Sequence, residues 1–295
     1  MNADVIIIGS GPAGIQAAIH SSRKKATTVL VGKPTNSALA NAHIENYFGV
    51  KGTVIGIDLL TTGIEQAKSF GCKVLEQNVT DTSVEGDLFK VVIESGEEII
   101  ARSVILATGI SRVKLNVKGE KEFFGKGVSY CSSCDCNFFK GVPVAIVGNE
   151  SEAAVSAAMM TEYASEVYWI TEDPDVDPAL KEKVTNSGAI ILQSSLTEIK
   201  GTDKVNSILL KSGEKVSVEG VFIELGGRSS ENIAMDLGVF PEMDNTIIVN
   251  PECETSVKGV FACGDLSGKP WQLAKAVGQG AIAGANAADY SKGNK

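Results

Sequence analysis

Two stretches of this sequence follow one pattern: an apolar run, a glycine, then a stretch rich in alanine. The first is Asp4-Val5-Ile6-Ile7-Ile8-Gly9 running into Ala13–Ser21; the second is Val142-Pro143-Val144-Ala145-Ile146-Val147-Gly148 running into Ala153–Met160. A continuous apolar run before such a stretch predicts a parallel strand covered on both faces by other elements. Two strand–turn–helix starts, about 140 residues apart, predict two similar nucleotide-binding-type domains rather than a short repeat. The expected fold class is therefore α/β.

A chain of 295 residues is long enough for two domains at roughly 100–200 residues each. Ordinary apolar content (43%) and modest charge (21%) exclude disorder as the main state. A net charge of −9 argues against nucleic acid or an anionic membrane as the main partner. No apolar run reaches the roughly 18–20 residues of a membrane span. Met1 leads within a few residues into a strand, which leaves no room for a signal peptide, so the expected location is the cytoplasm. Val91–Ile93 and Ile99–Ala101 flank Ser95-Gly96-Glu97 as a predicted hairpin. Val104–Gly109 reads as a further buried strand ending at Gly, Gly259–Asp265 as a buried strand followed by a Gly turn, and Trp271 to Tyr290 as a closely packed helix. Crossovers between domains are expected near 113–117 and 244–247.

The turn Gly9-Ser10-Gly11-Pro12-Ala13-Gly14 has the spacing of a phosphate cradle. Gly9 permits the tight turn, Gly11 lets a pyrophosphate approach the backbone, and Gly14 lets helix and strand pack closely. Pro12 and Ala13 open the helix whose N-terminus favours the anion. The acidic residue expected at the end of the next strand is absent from Val29-Leu30-Val31-Gly32-Lys33. Ala107-Thr108-Gly109 and Gly264-Asp265 are two further loops suited to close over a nucleotide; Asp265 can accept hydrogen bonds from polyol hydroxyls or serve as an ordinary turn residue.

The densest chemical feature is Cys131-Ser132-Ser133-Cys134-Asp135-Cys136. A Cys-x-x-Cys spacing brings two sulfurs together for dithiol–disulfide cycling, and a helix start there raises the thiolate fraction. Asp135 is placed to hand a proton to a departing thiolate. The rival reading is a metal site on Cys131, Cys134 and Cys136, which needs a fourth ligand; the two histidines, His20 and His43, lie far off in sequence. Cys136 reads as a bystander or a third redox thiol. Cys72, Cys253 and Cys263 are isolated and read as small buried hydrophobes.

In this order, the pieces resemble the low-molecular-weight thioredoxin reductases. The resemblance rests on Gly9–Gly14, Ile44-Glu45-Asn46-Tyr47-Phe48-Gly49, Ala107-Thr108-Gly109, Gly127-Val128-Ser129-Tyr130-Cys131-Ser132-Ser133-Cys134-Asp135, and Gly259–Asp265 with Gln272 after it. It implies two Rossmann-like three-layer domains. An FAD-binding domain is expected over 1–113 and 247–295, and a degenerate NADPH-type domain carrying the cysteines over 114–246. Asn46, Gln272 and Leu273 join the glycine turns as FAD contacts. The resemblance further implies a homodimer, Cys134 against the flavin, Cys131 attacking the disulfide of a thioredoxin-like partner, Asp135 as the acid, and no metal. The chain departs from the family at Asn36–Leu39, where Gly-Gly-Gln is usual, at Phe48 in place of Pro, and at Trp271 in place of Arg.

The larger departure is in the second cradle. The family's Gly-x-Gly-x-x-Ala becomes Gly148-Asn149-Glu150-Ser151-Glu152-Ala153, with Glu150 where pyrophosphate should approach. The family's three downstream arginines become Glu172, Asp173 and Asp177. From residue 141 to 180 there are eight acids and no Lys or Arg. Like charges about 4 Å apart cost roughly 1 kcal/mol in water and about 4 at an effective dielectric of 20. Lost charge-assisted bonds, at about 1.5–3 kcal/mol each, add to that. Several decades of NADPH affinity are expected to be lost, although Glu172 suits a ribose hydroxyl of NADH. The sequence thus resembles the pyridine-nucleotide-independent branch, whose donors are ferredoxin or a reduced deazaflavin. Arg112, Lys114, Lys118, Lys121 and Lys126, against Glu120 and Glu122, form a basic stretch that reads as a docking surface or as a solvated connector. The rival functions are a small-molecule dithiol oxidase using oxygen, an NAD(P)H-dependent thioredoxin reductase, and a flavin-bound protein without turnover.

Overall fold

The structure is a computed structural model and describes residues 1–110 and 114–293. In chain order the elements begin with β1 (Asn2–Ile8), α1 (Pro12–Arg23), β2 (Thr28–Val31), β3 (His43–Ile44), β4 (Val54–Ile55), α2 (Gly56–Ser69), β5 (Lys73–Leu75), β6 (Val79–Glu85), β7 (Leu88–Ile93) and β8 (Glu98–Leu106). There follow β9 (Val128–Ser129), α3 (Ser132–Asp135), β10 (Pro143–Val147), α4 (Ser151–Met160), β11 (Glu166–Thr171), α5 (Pro178–Ser187), β12 (Ile190–Gln193), β13 (Leu196–Gly201), β14 (Val205–Leu210), β15 (Lys215–Val216) and β16 (Gly220–Ile223). The last are α6 (Ser230–Asp236), β17 (Val260–Ala262) and α7 (Leu273–Ser291). The chain divides into two compact units: Met1–Ile93, Glu97–Ser111 and Arg228–Lys295 form one, Glu94–Gly96 and Arg112–Gly227 the other.

The first unit is built on a sheet of order β5-β2-β1-β8-β7-β6, with β17 also paired to β8. β1 lies parallel to both β2 and β8. Its side chains alternate between two cores, which explains the unbroken apolar run. Val5 and Ile7 pack with Ala17, Leu60, Ala283 and Ala287 of α1, α2 and α7. Ile6 and Ile8 pack on the other face with Val79, Phe89 and Val91. The predicted hairpin is present as β7 and β8. The two segments read as separate strands, 99–101 and 104–109, are one strand that ends at Leu106. Ser103 interrupts its apolar pattern, but the Ser103 hydroxyl donates to Asp4 O and Ala287 O, so the strand continues.

The return to the first unit comes at Arg228, not at 244–247. Ile233, Ala234, Leu237, Val239 and Ile247 are all buried in the core under that sheet, which draws α6 and the segment after it into the first unit. The expected first crossover at 113–117 begins on a residue outside the described set.

The second unit carries an all-parallel sheet of order β12-β11-β10-β16-β9. Val144 and Ile146 of β10 face Ala153, Ala157, Trp169, Leu180 and Val184. Ala145 and Val147 face Leu196, Ile199, Val205 and Ile208 of the antiparallel β13-β14-β15. Each unit therefore has helices on at least one face of a parallel core, as the two starts required. Among the described residues no helix is long and apolar enough to cross a membrane.

Candidate active site: a disulfide and two glycine turns

Cys131 and Cys134 are joined as a disulfide, with their Cα atoms 5.4 Å apart. Cys131 is the N-cap of α3 in extended conformation, and its sulfur accepts the Cys134 N–H at 3.2 Å. Its own N–H donates to the Ser129 hydroxyl at 3.1 Å. The geometry holds the sulfur of residue 131 at the start of a helical turn, where a negative charge is favoured. Asp135 ends that turn, half-buried, its N–H directed to Cys131 O at 3.3 Å.

A carboxyl that the sequence reading missed lies next to this turn. Glu224 follows β16 directly and is 3% exposed. Its Oε1 accepts the Ser132 N–H at 2.8 Å, and the Ser132 and Ser156 hydroxyls lie 2.6 Å apart beside it. Burial, then the charge of Glu152 one turn before Ser156, push the Glu224 carboxyl up to about 8; the Ser132 N–H and the Ser132 and Ser156 hydroxyls pull the other way. The signal was present: Glu224 is the lone acid in the otherwise apolar Gly220-Val221-Phe222-Ile223-Glu224-Leu225.

The remaining cysteines, Cys72, Cys136, Cys253 and Cys263, are free and buried. Cys136 packs with Val144 and Phe222, and its thiol lies 3.6 Å from Ser133 O. Burial pushes the Cys72 and Cys253 thiols up to about 11 and the Cys263 thiol still higher.

The first glycine turn separates two demands on glycine. A Cβ at Gly9 would stand 2.3 Å from Ala107 O, and one at Gly14 would stand 1.8 Å from Gly9 O, so these two serve packing. A Cβ at Gly11 would meet only Ser37, with Oγ nearest at 3.3 Å. Gly11 is the extended N-cap of α1, with Pro12 at the first helical position. The fold does not need a glycine there; a ligand approaching the backbone does. Ala107 N–H donates to Ile8 O, placing the 107–109 loop against the turn. The Ser10 and Thr108 hydroxyls are buried with no hydrogen-bond partner. Two orphaned hydroxyls and an open backbone fit a phosphorylated cofactor.

Gly264 and α7 complete this side. A Cβ at Gly264 would lie 2.9 Å from Ala13 Cβ, and one at Gly280 would lie 2.2 Å from Ala13 O. Burial raises the Asp265 carboxyl while Lys275 opposes that rise; the Lys275 ammonium donates to Gly264 O at 2.9 Å and to Ser267 Oγ at 3.1 Å. Gln272 is the exposed N-cap of α7 and Leu273 its half-buried first residue. Asn46 is exposed on the loop after β3. Gly9–Gly14, Ala107–Gly109 and Gly264 are thus brought together, whereas among the described residues no hydrogen bond ties Asn46 or Gln272 to them.

The second turn has the same backbone with a different side chain. Glu150 is the extended N-cap of α4, two residues after Gly148. The Asn149 side chain accepts the Thr171 hydroxyl at 2.8 Å and the Glu172 N–H at 3.1 Å, occupying the end of β11. Glu172 accepts the Ser195 hydroxyl and lies 3.5 Å from Lys211; the Ser195 bond and then Lys211 hold its carboxyl below the usual range. Asp177 caps α5 by accepting the Ala179 N–H at 2.9 Å. These residues do not fit a phosphorylated nicotinamide cofactor: the helix entrance holds a carboxylate and the strand end holds acids.

In the basic stretch, Lys114, Lys121 and Lys126 are exposed, and Lys118 pairs with Glu198 at 2.6 Å. Arg112 lies outside the described residues. Glu120 is withdrawn into the fold, accepting the Leu115 and Val117 N–H groups and the Tyr130 hydroxyl.

Residues 3–280 match the family described as pyridine nucleotide-disulphide oxidoreductase. Over 276 residues, 89% of this chain and 85% of the relative, it is 40% identical to a thioredoxin reductase of Aquifex aeolicus. Its fold is similar to the crystal structure of the atypical thioredoxin reductase TRi from Desulfovibrio vulgaris Hildenborough, at a TM-score of 0.83 and 32% identity, covering 98% of each chain. It is also similar to a ferredoxin-flavin thioredoxin reductase from Clostridium acetobutylicum, at a TM-score of 0.70 and 33% identity, covering 98% and 97%. With a disulfide pair on a two-unit α/β frame and these relatives, the chain belongs to the pyridine nucleotide-disulphide oxidoreductases, among the thioredoxin reductase-like flavoprotein disulfide reductases.

Proposed function

We propose that the chain passes electrons through FAD and the Cys131–Cys134 disulfide to a thioredoxin-like protein, and that its donor is reduced ferredoxin or a reduced deazaflavin in place of NADPH. The observation that carries the donor assignment is Glu150 at the entrance to α4, where a pyrophosphate would have to approach. Bound FAD supplies a carrier that takes electrons singly or in pairs and yields two to a disulfide.

The first unit is the FAD-binding domain in this reading. Gly9, Gly11, Pro12, Ala13 and Gly14 hold the pyrophosphate, with the Ser10 and Thr108 hydroxyls as donors to it or to the ribose. Ala107, Gly109, Gly264 and Asp265 line the same cofactor, and Asn46, Gln272 and Leu273 complete its contacts. The second unit is a degenerate NADPH-type domain that keeps its fold because β10 and α4 still bury their apolar faces.

Once the Cys131–Cys134 bond has been reduced, the sulfur of Cys131 keeps the Cys134 N–H as a donor, which favours a thiolate there. That thiolate attacks one sulfur of the partner's disulfide and displaces the other as a thiolate, which takes a proton from Asp135. Asp135, now a carboxylate, takes the Cys134 proton. Cys134 attacks the Cys131 sulfur of the mixed disulfide, re-forming the Cys131–Cys134 bond, and the same proton passes to the departing sulfur, releasing the partner as a dithiol. The exposed Lys114, Lys121 and Lys126 suit an acidic donor such as ferredoxin. The working unit is a homodimer.

Anaerobic titration of the flavin absorbance with NADPH, NADH, reduced ferredoxin and reduced deazaflavin, in parallel, tests the reading. Bleaching by ferredoxin or deazaflavin, and none by either nucleotide, is expected. Rapid bleaching by micromolar NADPH would refute it. Peroxide release with a small dithiol, without thioredoxin turnover, would move the assignment to a dithiol oxidase.

A further inference from the structure

The buried Glu224 carboxyl has no part in the electron transfer proposed for this chain. Glu224 lies at the C-terminal end of β16 with its Oε1 on the Ser132 N–H at 2.8 Å. Ser132 stands between the two redox cysteines, and its amide is the first of α3. Nothing in the fold requires an acid here: the segment before it is apolar and buried, and the Ser132 N–H could be met by any neutral acceptor. An ionisable carboxyl at 3% exposure is costly unless it is neutral or put to use.

We propose that Glu224 is a positioning residue for the redox pair: through the Ser132 N–H, its protonation is linked to the thiol–disulfide equilibrium of Cys131 and Cys134. The groups facing it are few. α4 presents Glu152, with Glu150 at its N-cap; α3 presents the two cysteines and Asp135 at its far end. The strands beside β16 present no ionisable side chain over Pro143–Val147 or Val128–Ser129, and Tyr130 is turned to Glu120.

The direction follows from charge. Reduction breaks the S–S bond, adds two electrons, and leaves a thiol and a thiolate, or two thiols, according to pH. A thiolate on Cys131 needs the donors of the first turn. A neutral Glu224 leaves that turn free of a competing negative charge. An ionised Glu224 places one on the adjacent amide and disfavours the thiolate. Formation of the thiolate is therefore coupled to proton uptake by Glu224, and raising the pH through the Glu224 titration shifts the pair toward the disulfide. Burial and the Glu152 charge, which raise that titration to about 8, put it where cysteine thiols also ionise.

The inference rests on Cys131–Cys134 being the redox couple, and the test separates the two. The holoenzyme is equilibrated anaerobically with dithiothreitol redox buffers from about pH 6 to about pH 9.5, then alkylated, and the reduced fraction is counted by mass. The dithiol of the buffer supplies the two electrons and becomes its cyclic disulfide. If dithiothreitol cannot open the pair at any pH, the redox reading itself fails. If it can, Glu224→Gln keeps an acceptor for Ser132 but not the charge. Its equilibrium constant should match the wild type within about twofold below about pH 7 and exceed it by about threefold or more above about pH 8.5. Superimposable curves, or an offset equal at every pH, would overturn the proposal, since a merely structural role gives no pH-dependent difference. Should the Gln variant not fold, Glu152→Gln supplies the second test. Removing that charge should move the wild-type break to lower pH, and an unmoved break overturns the proposal.

Discussion

Glu150 occupies, at the entrance to α4, the backbone position that Gly11 occupies at the entrance to α1: both are helix N-caps in extended conformation, two residues after a glycine that closes a parallel strand. A Cβ at Gly11 would touch little of the protein, so the fold accepts a side chain at this position, and only a phosphate excludes one. That is how one domain of a pair can lose a ligand without losing its structure. Replacing Glu150 by glycine removes both the bulk and one charge. The rate of flavin bleaching by NADH should rise by about tenfold or more, the lower part of what a like charge at contact costs. NADPH should gain less, because Glu172 and Asp173 remain. Stopped-flow absorbance under anaerobic conditions reads both, and equal gains for the two nucleotides would count against the placement of those acids.

The cysteine pair should divide the reaction into two halves. Cys131→Ser and Cys134→Ser are each expected to lower thioredoxin reduction by about a thousandfold or more, because no other thiol can take the place of a missing partner. Flavin bleaching by the donor should survive in both. The four other cysteines are buried, and burial raises three of their thiols, so the oxidised enzyme should take up less than about one equivalent of iodoacetamide near neutral pH. After mild reduction two sites should label, and peptide mapping should place them at 131 and 134. Labelling of Cys136 in the native enzyme would reopen the question of a third redox thiol.

The strand–glycine–helix starts were legible because a strand buried on both faces leaves no polar gap in its sequence, as Val5–Ile8 and Val144–Val147 illustrate. Strand β8 was not legible as one element. Arg102 and Ser103 break its pattern, and their partners, Ser291 O for the first and Asp4 O and Ala287 O for the second, are remote in sequence. The second crossover was misplaced for a related reason. Residues 228–246 carry no linker composition, and only the packing of Ile233, Leu237 and Val239 assigns them to the first unit. The Cys131–Cys134 pair was legible in the spacing, beside a rival metal reading. Glu224 was not, since a lone acid ending an apolar strand becomes informative only when its neighbour, the Ser132 N–H, is known.

Glycines of the first turn should separate by role. Gly14→Ala forces a Cβ to 1.8 Å from Gly9 O, and Gly284→Ala forces one to 2.3 Å from Ala17 O where α1 and α7 meet. Both are overpacking changes with backbone on the far side, and each should cost about 1–3 kcal/mol or more of stability in urea unfolding. Gly11→Ala meets only Ser37 and should leave the unfolding midpoint close to the wild type. It should instead weaken FAD retention by about tenfold, measured by flavin release on dilution. A Gly11→Ala protein that unfolds early but holds its flavin would reverse the assignment of the two roles.

The same buried carboxyl that meets Ser132 predicts how stability changes with pH. Glu224 is raised in the folded protein, to about 8 from an ordinary value near 4.5, so between these limits the folded state holds a proton that the unfolded chain has released. Stability from this group is therefore fully present at the acid end and declines as pH rises through that window. The loss is on the order of a few kcal/mol, because each pH unit separating the folded from the unfolded titration is worth about 1.4 kcal/mol and part of the effect is shared with Glu152. Glu224→Gln cannot titrate and should lose this slope, so the variant should gain on the wild type steadily from about pH 5 to about pH 8. Urea unfolding of the oxidised proteins at three pH values in that range measures the difference. A constant gap would mean that Glu224 is already ionised throughout, and that Ser132 and the hydroxyls beside it stabilise the anion more than burial opposes it.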